Sequence, residues 1–76
     1  MMLFLIEYDR SQGALITLRG FDEVDSKSAE HARLEMELDL NRRGVEREIV
    51  LLEAENEEAL RRTHRRYFED LAQLVS

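Results

Sequence analysis

The sequence predicts a single α+β domain: a two-layer ββαβα sandwich with a three-stranded sheet of order 2-1-3 and two helices on one face. Three observations carry this prediction. Two short apolar runs, Leu3 to Tyr8 and Ala14 to Leu18, flank a polar segment that ends in Gly13. Ser26 to Arg43 is rich in helix formers and is followed by Gly44. Ile49-Val50-Leu51-Leu52 is a buried-strand signal, and Asn56, a helix-capping residue, follows it closely.

Each element has its own local reason. Two apolar runs joined by Asp9-Arg10-Ser11-Gln12-Gly13 read as a β-hairpin, with strands over roughly residues 3–9 and 14–19. Gly20 to Asp25 is an acidic connection. In the next segment Ala32, Leu34, Met36, Leu38 and Leu40 alternate with charged residues, which is a strand pattern. No residue from Ala29 to Leu40 is β-branched, however, and almost all are good helix formers. Asp25 or Ser26 can cap the start, and Arg42 and Arg43 complement the negative helix end. A helix over roughly residues 26–43 is therefore expected. The third strand covers roughly residues 46–54, and a second helix roughly residues 56–74, with Glu57 and Glu58 in its positive first turn.

The topology follows from connection rules. A hairpin makes strands one and two antiparallel, and the first helix returns the chain so that strand three runs parallel to strand two. Strand three can lie beside strand one or beside strand two. Strand one is apolar on both sides, Leu3 and Leu5 against Phe4, Ile6 and Tyr8, as a central strand is, which favours order 2-1-3.

Two helices on one face would leave the other face open, and strand three offers an apolar set to each side: Ile49 with Leu51, and Val50 with Leu52. The first helix also has two stripes. Ala29, Ala32, Met36 and Leu40 share one side, while Leu34 and Leu38 lie opposite, near His31. This surplus of apolar surface predicts a homo-oligomer, a dimer first, with Leu34, Leu38, His31, Ile49 and Leu51 as its expected interface.

Composition bounds the rest. The 76 residues carry 17 acids and 11 bases, a net charge of −6 that disfavours nucleic acid. Cysteine is absent, which excludes disulfides and thiolate metal sites and suits a reducing cytoplasm. The apolar start ends at Glu7 without a basic leader, so no signal peptide is expected, and no run approaches a membrane span.

Candidate chemistry is sparse. Arg61, Arg62, Arg65 and Arg66 form the densest basic feature and are the candidate anion-binding residues, the basis of an alternative nucleic-acid-binding function. Pairing of Glu58 with Arg62, Arg65 with Glu69 and Arg66 with Asp70 would instead make them a solvated helix face. His31 and Glu35 have a spacing that can hold a metal ion, but a site needs a third protein ligand and none is in motif; no metal or cofactor is expected. No serine lies in a nucleophile context, and the three glycines are too scattered for a phosphate loop, so no catalytic residue is expected. A ligand site at a subunit junction, near His64, Tyr67 or Tyr8, is the second alternative. The leading expectation is a small acidic cytoplasmic module that associates with itself and with another protein.

Overall fold

The computed structural model describes residues 1–69. Strand β1 (Met2–Asp9) is central, with β2 (Ala14–Asp22) on one side and β3 (Glu48–Ala54) on the other. Both pairings are antiparallel, giving the α+β class and the 2-1-3 order that the sequence predicts. Helix α1 spans Ser26–Arg43 and helix α2 spans Glu57–Thr63, with short 3-10 turns at Glu23–Asp25 and Arg65–Tyr67.

The hairpin is held by its first polar side chain. Asp9 accepts hydrogen bonds from the Ser11 N–H at 3.0 Å, the Ser11 hydroxyl at 2.7 Å and the Gln12 N–H at 3.2 Å. That is an Asx-type turn. The Ser11 hydroxyl, and after it the two backbone donors, hold the Asp9 carboxyl below its ordinary range despite the opposing effect of desolvation. The register shifts between Glu7 and Tyr8, so Ile16 of β2 is an extra residue: Glu7 faces Thr17 and Tyr8 faces Leu15.

At its other end α1 closes on Gly44, at φ 67°. The Val45 N–H donates to the Leu40 carbonyl at 3.0 Å. A Cβ at Gly44 would meet no atom within 4 Å, so only backbone conformation resists substitution. Gly44→Ala is expected to cost about 1 kcal/mol, read as a lower urea midpoint at unchanged slope.

One placement differs from the sequence expectation: the helices lie on opposite faces of the sheet. Leu5, Phe21 and Ala29 form one buried cluster, joined by Leu3, Ala32, Met36, Ile49 and Leu51; this is the α1 face. Phe4, Ile6, Tyr8, Ala54, Leu60 and Tyr67 form the other, joined by Leu15, Leu18, Val50 and Leu52; this is the α2 face. The reason is already present in β1 and β3, whose side chains are apolar on both sides. Each face needs a cover, and one helix per face supplies it.

The second helix is also shorter than expected, ending at Thr63 instead of near residue 74; residues 70–76 lie outside the described part. Its start is as expected, with the Asn56 side chain accepting from the Ala59 N–H at 2.8 Å. At the end the Thr63 hydroxyl donates to the Ala59 carbonyl at 3.0 Å, and His64 leaves helical geometry at φ −126°, ψ 53°. The chain then turns so that Arg66 and Tyr67 reach Glu48 of β3. Because α2 has only seven residues, Leu15, Leu18, Val50 and Leu52 on its face stay half-buried. Two strand limits also move. β2 runs on to Asp22, absorbing part of the expected acidic connection, and β3 starts at Glu48.

Candidate functional site

Three regions stand out: the outer face of α1, the free edge of β3, and a knot of charges where β1 ends and β3 begins.

On α1 the inner stripe of Ala29, Ala32, Met36 and Leu40 packs toward the sheet. Leu34 and Leu38 point away from it and are 53 % and 52 % exposed. They stand one turn apart, so they form a continuous strip. Beside them His31 Nε2 lies 2.8 Å from Glu35 Oε1, and Arg43 lies 3.1 Å from Asp39. Of the expected interface residues, the structure therefore brings together Leu34, Leu38 and His31. It places Ile49 and Leu51 elsewhere, beneath α1 in the cluster around Leu5, because α1 covers the face they occupy.

β3 pairs only with β1 among the described residues, so its outer edge is open. Ile49, Val50, Leu51 and Leu52 are all half-buried.

The charge knot was not legible as a unit in the sequence. Glu7 and Asp9 are only 8 % and 6 % exposed, although they are carboxylates. Buried charges need partners. Thr17 donates its hydroxyl to Glu7 at 2.8 Å, and Arg47 reaches back to lie 3.4 Å from Glu7 and 3.9 Å from Asp9. On the other face Glu48 accepts from the Tyr67 hydroxyl at 2.5 Å and from Arg66 at 2.5 Å, with Arg10 at 3.7 Å. Donation by Tyr67, and after it by Arg66, outweighs desolvation and lowers the Glu48 carboxyl below its ordinary range. Burial, and after it the bond to Glu48, raises the Tyr67 phenol. Tyr8 packs edge-on against Tyr67, with ring centroids 5.2 Å apart. The only sequence signal for the knot was Glu7, a charge set inside an apolar run. An open depression of about 540 Å³, lined in part by Asp9, Arg10, Leu40, Arg47 and Glu48, lies beside it.

The candidate arginines do not form a common basic face. Arg61 pairs with Glu57 at 3.2 Å and stacks over Phe68, and Arg65 lies 3.7 Å from Glu69. Arg66 turns inward to Glu48, whereas the expected partner, Asp70, lies outside the described residues. Arg62 is exposed. His64 bonds the Thr63 hydroxyl at 2.9 Å through Nδ1, and the Tyr67 hydroxyl is committed to Glu48. Among the described residues, no three His, Asp or Glu side chains converge as metal ligands, and no helix is long and apolar enough to cross a membrane.

Comparison of the chain with protein-family models, with curated proteins and with solved structures finds no match.

Proposed function

We propose that the protein is a small cytoplasmic interaction module that associates with itself and, through that assembly, with another protein. The observation that carries this reading is the Leu34–Leu38 strip. It lies on the side of α1 opposite a complete core stripe, so the domain gains nothing from it as a monomer. The outer edge of β3, unpaired among the described residues, points the same way. The alternative, nucleic-acid binding through Arg61 to Arg66, has less support: Arg61, Arg65 and Arg66 already face Glu57, Glu69 and Glu48. A ligand site near His64, Tyr67 and Tyr8 has little room for polar contacts, because the Tyr67 hydroxyl is already bonded.

Sedimentation velocity tests the reading. From about 1 to about 100 µM chain, a species of twice the 9.0 kDa monomer is expected to grow in. A 9.0 kDa species alone across that range refutes self-association.

A further inference from the structure

We infer that the depression between β2 and the first half of α1 is an anion site, built for the phosphate group of a small soluble molecule. The site goes beyond the self-association reading and does not depend on it.

The depression is open, measures about 510 Å³ and has walls from two elements. Arg19 and Phe21 come from β2, and Lys27, Ser28 and His31 from α1. Its origin lies in the sheet. Directly opposed residues share a sheet face, so Phe21, opposite Leu3, and Arg19, opposite Leu5, are both on the α1 side. Phe21 is buried there in the cluster with Leu5 and Ala29. Arg19, on the same face, holds a position where an apolar side chain would extend that core, yet it is exposed. Opposite it α1 contributes the small side chain of Ala32, which leaves the space open. The Arg19 guanidinium carbon lies 4.7 Å from the centre of the Phe21 ring. Stacking on a ring restrains the guanidinium plane and leaves its N–H edge to receive two oxygens of one oxyanion.

The charge of the depression is opposite to that of the whole chain. Most arginines lie within 4.0 Å of an acid; among the described residues, Arg19 and Lys27, the one lysine of the chain, do not. Among the described residues Glu35 is the one acid that lines the depression, and its carboxylate is engaged, 2.8 Å from His31 Nε2. Glu23 is held by the N-terminal amine at 3.2 Å, and Asp22, Asp25 and Glu30 lie outside the lining. Arg19 and Lys27 are therefore a local surplus of positive charge in a chain of net charge −6. Two cations on separate elements favour a doubly charged oxyanion over a singly charged one. A phosphate monoester carries about −1.5 to −2 near neutral pH and three strong acceptor oxygens. Arg19 can take two of them and Lys27 the third, with the Ser28 hydroxyl as a further donor. The volume suits the organic part of a small ester, because small-molecule sites measure about 300–1,000 Å³.

Amide chemical shifts of the isotope-labelled chain near neutral pH test the site. The probes are inorganic phosphate, glycerol phosphate and, at equal ionic strength, acetate. Both phosphates are expected to shift the amides of Arg19, Phe21, Lys27 and Ser28 to saturation, with a dissociation constant on the order of 1 mM. Acetate is expected to bind at least about tenfold more weakly. Arg19→Gln and Lys27→Gln are each expected to weaken phosphate binding at least about fivefold. Arg62→Gln removes the same charge from an exposed position on α2 and is expected to change binding by less than about twofold, because salt screens distant charges. Lys27 is exposed in the first turn of α1, so its variant keeps the fold even where Arg19→Gln loses packing against Phe21. Tighter binding of glycerol phosphate than of inorganic phosphate supports a phosphorylated metabolite as the ligand, and equal binding supports free phosphate. Absence of saturating shifts, equal binding of acetate, or equal losses in Arg62→Gln and Arg19→Gln overturns the site.

Discussion

Leu5→Asp is expected to leave the chain unfolded at 25 °C, with no cooperative transition in urea or on heating. Leu5 is fully buried at the centre of the middle strand, between β2 and β3 and beneath Ala29 of α1. Loss of its side chain alone costs about 2–5 kcal/mol. A carboxylate in the same place adds several kcal/mol of desolvation, which Arg19, opposite Leu5 on β2, offsets only in part. Domains have about 0.05–0.15 kcal/mol of stability per residue, so a chain this short cannot absorb such a loss. The contrast is the double substitution Leu34→Glu with Leu38→Glu. Both positions are half exposed, and Glu is as good a helix former as Leu, so the melting temperature of the monomer, read at low chain concentration, is expected to move by no more than a few degrees. Circular dichroism melts of the two variants side by side measure the difference. A folded Leu5→Asp chain would contradict the assignment of the α1-side core.

The second large effect concerns the bond between Glu48 and Tyr67. Tyr67→Phe is expected to lower stability by about 1.5–3 kcal/mol, the range for a hydrogen bond to a charged group, and the melting temperature by on the order of 10 °C. The same bond sets the pH dependence. The Glu48 carboxyl titrates lower in the fold than its ordinary value of 4.5, so the unfolded chain takes up the proton first. The stability it supplies is complete above that ordinary value and is lost as pH falls through the lowered folded value. The Tyr67 phenol is raised above its ordinary value of 10.0, so its contribution is complete below that value and disappears as pH rises past it. Between these limits neither group changes charge. Urea midpoints measured across the pH range should therefore fall at both ends for the natural chain. Tyr67→Phe should remove this alkaline contribution and weaken the acid one. An unchanged profile in Tyr67→Phe would show that the bond does not hold the 3-10 turn to β3.

Much of the local structure was legible in the residues. Gly44 marked the end of α1, Asn56 marked the start of α2, and Asp9-Arg10-Ser11-Gln12-Gly13 marked the hairpin, because each acts on backbone groups only a few residues away. The two stripes of α1 were also readable, since helical geometry alone separates Leu34 and Leu38 from Met36 and Leu40. The layer arrangement was within reach but was missed. A strand apolar on both sides, such as β1, calls for a cover on each face, and that consequence assigns one helix to each side. The early end of α2 was not readable: apolar residues recur at helical spacing past Thr63, and the turn there is fixed by where Arg66 and Tyr67 find Glu48.

What the sequence determined by itself is therefore the set of elements, their order, the central position of β1 and the presence of an unspent apolar strip on α1. These depend on periodicity and on caps, whose partners lie within about one helical turn. Only the tertiary structure decided which face each helix covers, that Glu7 and Asp9 are buried with Arg47, and that Glu48 holds Tyr67 across 19 residues. A carboxylate carries no mark of its distant partner in the chain; the pairing exists only once the sheet has brought the two segments together.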